Sequence, residues 1–333
     1  MEKKKNKKRR YRLFYLLLLL FITTITLSFS SYAWFTTNRL VKIDLLNVNV
    51  RAQGGIEISV DGTNWKSVLT VTDIEEARNN YPNSLNQVPS TLEPVSTVLD
   101  IENGKIKMFY GTAVNNTSGN YILETVRSIE EESFGDTSSG KFIVFDLFFK
   151  TNQDTMLYLT PESNVTYSGE SSVGIENSAR IAFVDEGTTF TGASLNTIQA
   201  LFTNNSDDVY LWEPNYDTHT DYGISNALNV YGITTTSPGT KLNYDGVAGE
   251  ISKNLGITVD RASSNMYPAY FKRVDVDIAS VSNFTNNVEA FNLSSGISKY
   301  RIYMWIEGQD VDCENNASVG NMALNLQFTT NPS

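Results

Sequence analysis

The sequence predicts an all-β protein: an antiparallel β-sandwich of the jelly-roll or immunoglobulin-like kind, with long loops and a few short helices, preceded by an N-terminal hydrophobic helix. Three observations support this prediction. Many short segments alternate apolar and polar residues, as strands do when one face is buried. No regular succession of strands and helices indicates a parallel α/β sheet. A basic cluster and a long apolar run precede all of these segments.

The first 33 residues form a predicted leader. Residues 1–12 contain eight Lys or Arg residues, and the 17 residues from Leu13 to Phe29 carry no charge. As a helix this apolar run would extend about 26 Å, close to the thickness of the hydrocarbon core of a bilayer. Because a basic cluster stays on the cytoplasmic side, the residues that follow are expected to be exported.

Two interpretations of this leader remain open. In the first it is a cleaved signal peptide, with Ser31 and Ala33 as the small residues at the −3 and −1 sites and cleavage before Trp34. In the second it is an uncleaved signal anchor that holds the chain in the membrane through residues 13–30. Residues 34–333 are in both cases the exported β-sandwich domain, at the cell surface or in the extracellular space.

The charge of the exported part limits its partners. The whole chain has 26 basic and 37 acidic residues, a formal net charge of −11. Without residues 1–12 it has 18 basic and 36 acidic residues, a net charge of −18. Such a domain repels polyanions, so no nucleic-acid partner is expected. Cys313 is the only cysteine, which excludes an intrachain disulfide and favours a Gram-positive origin over a eukaryotic secretory one.

The first predicted strand follows the leader directly. Leu40 to Val50 alternates apolar and polar residues, and the phase of the alternation changes between Leu45 and Leu46. Because side chains on a strand have a period of two, this change predicts a β-bulge. Gly54 to Val68 then predicts a hairpin with Asp61-Gly62 in its turn.

Further elements follow in order. Asp73 to Asn80 predicts a short helix capped by Asp73, and Ser194 to Phe202 predicts a second one. Lys141 to Lys150 is apolar on both faces except at Asp146, which predicts a central strand. The other predicted strands cover 105–111, 155–161, 179–185, 209–215, 269–281, 299–308 and 322–328. Residues 216–266 are rich in Gly, Thr, Asn and Ser and are predicted to form a loop-rich insertion.

No enzyme is expected from the sequence. His219 is the only histidine and lies in a Thr- and Asp-rich loop, where a surface position is expected. A Ser-His-Asp triad would have to use it, and a typical zinc site needs a second histidine or several cysteines. Carboxylates are numerous enough for a glycosidase-like pair, but no pair stands out.

The acidic turn is the candidate metal site. Glu307, Asp310 and Asp312 lie within six residues at the end of a predicted strand, and Ca²⁺ prefers oxygen ligands. The order of these residues departs from the EF-hand pattern, and the alternative is an acidic turn that only connects the last two strands. No other cofactor is expected. Like charges beside Cys313 disfavour its thiolate, so a nucleophilic role is not expected.

Both ends of the chain resemble known exported proteins. The junction YAWFTTN and the alternating strand behind it resemble the TasA/camelysin family of Gram-positive surface and matrix proteins, whose leaders are cut by a dedicated signal peptidase. The closing WIEGQDVDC resembles a W-[LI]-E-G-x-D-x-D-C signature of uncharacterised bacterial surface proteins, and ARIAF and LWEPN resemble other parts of that pattern. The family resemblance implies a β-sandwich and a biofilm fibre in which the mature N-terminal segment, here Trp34 to Val50, completes the sandwich of a neighbour.

Two functions are therefore expected. The first is a non-enzymatic structural protein of the cell surface or extracellular matrix that assembles with itself into a homo-oligomer or fibre. The alternative is a membrane-anchored adhesin module that binds a glycan or another ligand. In that case aromatic residues of the loops, such as Tyr216, Tyr222 and Tyr231, would stack on sugars.

Overall fold

The computed structural model describes residues 43–115, 121–130, 140–168, 174–221, 223–225, 228, 244–259, 262–281, 283–313 and 321–332. The predicted leader lies outside these ranges, as do its junction residues Ser31, Ala33 and Trp34 and the loop residues Tyr222 and Tyr231. Within the ranges that are described, no helix combines the length and the apolar character needed to cross a bilayer.

The described residues are mostly β, with few and short helices, as predicted. Two α-helices have defined bounds, α1 (Val71–Glu76) and α2 (Leu195–Gln199), and Asp221, residues 223–225 and Leu228 are also α-helical. Short 3₁₀ helices cover Ala77–Asn79, Ile175–Ser178, Ser206–Asp208 and Lys253–Leu255. The strands are β1 (Ile43–Ala52), β2 (Glu57–Ser59), β3 (Val68–Thr70), β4 (Thr91–Leu92), β5 (Ile101–Glu102), β6 (Lys105–Ile106), β7 (Met108–Asn115), β8 (Tyr121–Ser128), β9 (Ile143–Thr151), β10 (Thr155–Leu159), β11 (Asn164–Ser168), β12 (Ala179–Thr189), β13 (Val209–Glu213), β14 (Tyr244–Val247), β15 (Phe271–Val274), β16 (Ile278–Ala279), β17 (Val288–Leu293), β18 (Gly296–Ile306) and β19 (Asn321–Thr329).

Two large sheets organise these strands. A seven-stranded sheet has the order β17-β10-β19-β1-β3, with β11 also paired to β19 and β4 also paired to β1. A six-stranded sheet has the order β16-β13-β12-β18-β9-β2. The pairs β5–β6, β7–β8 and β14–β15 form separate two-stranded sheets.

The purely antiparallel arrangement that the sequence predicts is wrong for two pairs of strands. The strand β1 pairs in parallel with β19, and β13 pairs in parallel with β16. A parallel pair needs a long crossover, and nearly the whole described chain lies between β1 and β19. The first and last described strands are thus neighbours in the interior of one sheet.

The bulge predicted in the first strand is confirmed. The pairing of β1 with β19 shifts register between Leu45 and Asn47, which leaves Leu46 as the extra residue. After the shift, Val48 and Val50 are buried, whereas Arg51 is exposed. The change of phase in the sequence therefore corresponds to a real irregularity in the strand.

The inner faces of the two large sheets contact each other through aromatic side chains. The ring of Phe149 on β9 meets Phe328 on β19 edge-to-face at a centroid distance of 5.2 Å. The ring of Phe183 on β12 lies 6.0 Å from the same Phe328. Alternating residues of β9 and β18 thus enter one apolar core shared by both sheets.

A second apolar cluster covers the opposite face of the six-stranded sheet. It includes Val144 of β9, Tyr303 and Trp305 of β18, and residues of the β6–β7 and β14–β15 segments. The strands β9 and β18 are consequently buried on both faces, and β9 lies between β18 and β2. The central position predicted for Lys141 to Lys150 is confirmed.

The turn of the first predicted hairpin forms, but its arms enter different sheets: β2 pairs with β9, β3 pairs with β1, and one isolated bridge joins Ile58 to Lys66. The cap of the first helix also differs from the prediction. Asp61 accepts hydrogen bonds from the backbone amides of Thr63 and Asn64, both at 2.8 Å, and so closes the turn. The N-cap of α1 is Thr70, whose backbone amide donates to the Asp73 carboxylate at 2.8 Å. Asp73 thus lies in the first turn of the helix and is not its cap, because its side chain reaches back to the preceding turn.

Part of the predicted loop-rich insertion, 216–266, belongs to the core. Residues 229–243 lie outside the described ranges. Beyond them, β14 pairs with β15, and Tyr244, Val247, Ile251 and Ile257 are buried. The end of this region therefore packs against the body of the protein and is not confined to its surface.

Candidate functional site

Three of the sequence segments that carry the resemblance meet at one buried side chain. Arg180 of ARIAF lies on β12, Glu213 of LWEPN ends β13, and Asp310 of WIEGQDVDC follows β18. The guanidinium Nη2 of Arg180 lies 2.8 Å from Oε1 of Glu213 and 2.5 Å from Oδ2 of Asp310. All three side chains are buried. Together with Glu307, Asp312 and His219 they form the Arg180 cluster.

The position of Arg180 is fixed from several directions. Its Nη1 donates to the backbone carbonyls of Asn177 at 2.9 Å and of Ala179 at 3.0 Å. Its guanidinium also stands 5.5 Å from the ring centroid of Tyr244. Burial acts to lower the pKa of Arg180, but the charges of Glu213 and Asp310 outweigh burial and raise it. Arg180 is therefore a permanent buried cation.

Glu307 is held by its own turn. One carboxylate oxygen accepts the indole N–H of Trp305 at 3.0 Å, and the other accepts the backbone amide of Gln309 at 3.0 Å. Burial nevertheless dominates and raises the pKa of Glu307 to about 7, against these hydrogen bonds. The group therefore titrates near neutral pH.

The two aspartates of the turn bind different partners. Asp310 accepts the backbone amide of Asp312 at 2.8 Å, and burial raises its pKa although Arg180 acts in the opposite direction. The carboxylate of Asp312 lies 2.7 Å from Nδ1 of His219 and accepts the backbone amide of Thr220 at 2.8 Å. The turn is thus joined to β12 through Asp310 and to the loop after β13 through Asp312.

This geometry differs from that of a calcium site. The carboxylates of Glu307, Asp310 and Asp312 point to separate protein donors instead of to one shared point. Among the residues that the structure describes, no group of three or more His, Cys, Asp or Glu side chains could hold a metal ion. Calcium binding by this turn stays a prediction.

The surface position predicted for His219 is wrong. Its side chain is only 5% exposed and is paired with Asp312. A histidine paired with an aspartate is the orienting half of a Ser-His-Asp triad, but a general base must also reach the substrate. The ring of His219 is shielded from solvent, so the pair serves to attach its loop. No local pattern around His219 indicates its pairing with Asp312, because the two residues are 93 positions apart.

A second buried ionic cluster lies on the same face of the six-stranded sheet. Asp146 of β9 accepts Nε of Arg301 at 2.7 Å and the hydroxyl of Tyr81 at 2.9 Å. Its carboxylate also lies 3.3 Å from Nζ of Lys299. Arg301 reaches Glu186 of β12 through Nη1 at 3.0 Å. These five residues form the Asp146 cluster, which sequence reasoning missed although Asp146 stood out as the one polar residue of its strand.

The opposite charges of the Asp146 cluster offset part of the effect that burial has on the pKa values of its members. Burial acts to raise the pKa of Asp146, but Arg301 and Lys299 outweigh it and lower the pKa. Burial lowers the pKa of Lys299 and raises that of Glu186 to about 7. The groups are enclosed and mutually paired, so the arrangement connects strands and leaves no reactive group facing solvent.

The backbone amide of Cys313, another candidate residue, donates to the carbonyl of Asp310 at 3.1 Å. Tyr216 is partly buried, and Cys313 is buried at the end of the acidic turn. Comparison of the chain with protein-family models, with curated proteins and with solved structures found no match. The function is therefore argued from the fold and from the described side chains.

Proposed function

We propose that this chain is an exported, non-enzymatic structural protein of a Gram-positive cell surface or extracellular matrix, built on a β-sandwich. The sandwich is supported by the core that the two large sheets share, in which Phe149 of one sheet meets Phe328 of the other. The structural role is supported by the Arg180 and Asp146 clusters, whose charged groups bind strands to each other.

The position of β1 carries the proposal. This strand follows the predicted leader and lies between β19 on one side and β3 and β4 on the other. Eight Cα pairs join it to β19, from Asp44 with Asn321 to Ala52 with Phe328. The strand that follows the predicted leader is thus an interior strand, and its removal would open the sheet on both sides.

A terminal strand in an interior position can be exchanged between copies. The same ladder and the same buried positions, Val48 and Val50, can be filled by β1 of a neighbouring molecule. Head-to-tail exchange that does not close into a ring produces a filament. We therefore propose that the protein assembles with itself through β1.

Cross-linking of two single-cysteine variants tests this exchange. Asn49 of β1 and Asn325 of β19 are paired, and their side chains are hydrogen bonded at 3.3 Å. Asn49→Cys and Asn325→Cys, each in a Cys313→Ala background, are co-expressed in one exporting host. A disulfide-linked heterodimer is expected, because the two cysteines meet only when β1 of one chain enters the sheet of the other.

The matched control uses a strand pair that excludes β1. Glu57 of β2 and Lys150 of β9 are paired side by side, so Glu57→Cys and Lys150→Cys should give no heterodimer. A variant that carries both Asn49→Cys and Asn325→Cys in one chain shows whether β1 pairs within its own molecule. If this variant forms its disulfide within one chain, while the co-expressed single-cysteine variants stay monomeric, β1 belongs to its own sheet and the assembly proposal fails.

Export is tested separately at the leader. If Ser31 and Ala33 form the cleavage site, the secreted protein begins at Trp34, and Ala33→Asp keeps the protein bound to the cell. Mass spectrometry of the cell and medium fractions measures both. Intact protein that begins at Met1 as the dominant species would show that the leader is an anchor.

A further inference from the structure

The outer face of the seven-stranded sheet carries a hydrogen-bonded row of amide side chains. Nδ2 of Asn49 on β1 donates to Asn325 on β19 at 3.3 Å. Nδ2 of Asn325 in turn donates to Asn164 on β11 at 3.0 Å. Each amide has two donor hydrogens and an oxygen that accepts two bonds, so the row retains donors and acceptors for a ligand.

A second, charged row runs beside the first. Arg51 of β1 is paired with Gln327 of β19, and Nε2 of Gln327 donates to Glu162 at 3.4 Å. A hydrogen bond from Thr160 lowers the pKa of Glu162, which keeps this carboxylate ionised. The two rows border an open cavity of about 250 Å³. The face, called the amide face below, consists of Asn49, Arg51, Glu162, Asn164, Asn325 and Gln327.

Arg51 is the least satisfied member of this face. Its side chain is exposed and forms no ion pair or hydrogen bond with any other residue of the described ranges. A guanidinium offers five N–H donors in a fixed plane. On the neighbouring strand, Val68 is paired with Arg51 and is 42% exposed. The face therefore offers an unused planar donor group next to an apolar contact.

Several ligand classes do not match these properties. A nucleic acid would meet a strongly acidic domain, and no member of the amide face offers an aromatic ring for base stacking. A peptide cannot add a strand here, because β1 and β19 are both interior strands. The named members of the amide face are all polar or charged, so an apolar protein surface would meet little beyond the neighbouring Val68. The ligand that fits is uncharged and rich in hydroxyl groups.

We propose that the amide face binds a neutral saccharide. Each sugar hydroxyl both donates and accepts, so neighbouring hydroxyls match the donor and acceptor atoms of Asn49, Asn325 and Gln327. Arg51 and Glu162 add charge-assisted hydrogen bonds, and Val68 contacts the C–H groups of the ring. Because the amides are already held by one another, binding orders few side chains.

This site gives the chain a function besides the structural role. A single open face of polar groups binds weakly, but a surface that presents many copies of the protein to a repetitive polysaccharide gains avidity. The inference does not depend on strand exchange, because Arg51 and Gln327 lie on the outside of the sheet whether β1 is donated or not. Failure of one proposal therefore leaves the other in place.

Binding to defined oligosaccharides tests the inference. The full-length chain, purified in a detergent without a sugar headgroup, is titrated with maltoheptaose, cellopentaose and xylohexaose, and binding is followed by calorimetry. Saturable binding to at least one of them is expected. The Arg51→Ala/Gln327→Ala variant should weaken that binding about tenfold or more, because both side chains donate hydrogen bonds to the ligand.

The matched control replaces another amide of the same sheet. Asn292→Ala lies on the edge strand β17, where the side chain is exposed, and should bind like the wild type. Thermal unfolding of all variants verifies that they are folded. Absence of binding to all three oligosaccharides, or equal binding by the Arg51→Ala/Gln327→Ala variant, would overturn the inference. A change in oligomeric state with no change in saccharide binding would assign the face to contacts between copies.

Discussion

Replacement of Arg180 by methionine tests the Arg180 cluster most directly. Arg180→Met keeps a long, flexible side chain on β12 but removes the cation that pairs with both Glu213 and Asp310. The two carboxylates remain buried, and the carbonyls of Asn177 and Ala179 lose their donor. The variant therefore measures what the cluster contributes when its charge balance is broken.

The expected loss of stability follows from the buried carboxylates and carbonyls that Arg180→Met leaves without their partner. Removal of one partner from a buried ion pair destabilises a protein by about 3–5 kcal/mol, because an uncompensated charge remains in the interior. Each buried acceptor without a donor costs about 1–3 kcal/mol, which relaxation and water partly offset. We expect Arg180→Met to lower the free energy of unfolding by about 4 kcal/mol, a large part of the total stability of a typical domain.

Urea unfolding followed by tryptophan fluorescence is the assay, with Arg273→Met as the matched control. Arg273 also pairs with an aspartate, Asp245 at 2.6 Å, but its side chain is 47% exposed. An exposed pair contributes about 0–1 kcal/mol, so the control variant should lose no more than that. The variant Arg180→Met/Asp310→Asn should regain part of the lost unfolding free energy, since it leaves one unpaired buried charge fewer than Arg180→Met alone.

The pH dependence gives a second, independent measurement. Without Arg180 the pKa of Asp310 should rise further, because the nearby positive charge no longer favours its ionised form. A carboxyl whose pKa is raised in the folded state destabilises the protein as pH increases through that pKa. The loss caused by Arg180→Met should thus be larger at about pH 8 than at about pH 5. The reasoning would be refuted if Arg180→Met lost no more unfolding free energy than Arg273→Met and if that loss did not change with pH.

Three further predictions concern the acidic turn. His219→Ala should cost about 1–3 kcal/mol, measured by urea unfolding, because Asp312 loses a partner in a buried site, whereas a surface histidine would cost nearly nothing. Since the pKa of Glu307 rises to about 7 in the folded state, the free energy of unfolding should fall as pH increases from about 4.5 to 7, and Glu307→Gln should flatten this slope. An unchanged slope in that variant would assign the titration to other groups. Calcium binding by the turn predicts a higher melting temperature in calcium than in chelator, and Asp312→Asn should abolish that rise. Equal melting temperatures would leave the turn as a structural connection through Asp310 and Asp312.

The features that could be predicted best from the sequence are those that local patterns determine, above all the alternation of apolar and polar residues along a strand. The bulge after Leu45 and the central position of β9 could be predicted because side chains on a strand repeat every two residues, and the turn at Asp61 could be predicted because Asp-Gly favours a tight turn. Burial on both faces leaves a continuous apolar run, and that made Lys141 to Lys150 conspicuous. Each of these features is determined by residues that lie close together in the sequence.

Pairings between distant residues could not be predicted in the same way. The parallel contact of β1 with β19 joins residues about 276 positions apart, such as Asn49 and Asn325. No local pattern distinguishes a parallel from an antiparallel partner for an alternating strand. The acidic turn was conspicuous, but its partner Arg180 lies 130 residues from Asp310. The charge of Arg180 inside ARIAF was the signal that could have indicated a buried ion pair.

The two ionic clusters determine which face of the six-stranded sheet is turned toward the seven-stranded sheet. A shift by one residue in β12 or β18 would turn Arg180 or Arg301 into the apolar core that contains Phe183 and Phe328, at a cost far above that of a lost hydrogen bond. The clusters thus select one register even where their net contribution to stability is small.

The register that the two clusters select also affects the proposed assembly through β1. Neither cluster contains a residue of β1, so the six-stranded sheet can hold its register before that strand is in place. A molecule whose β1 has left would then keep an ordered body with an open position beside β19, ready for the strand of a neighbour. We therefore expect Arg180→Met to lower the yield of the Asn49–Asn325 heterodimer by unfolding the acceptor, while Arg273→Met leaves the yield unchanged. Equal yields from both variants would show that acceptance of the strand does not require the Arg180 cluster.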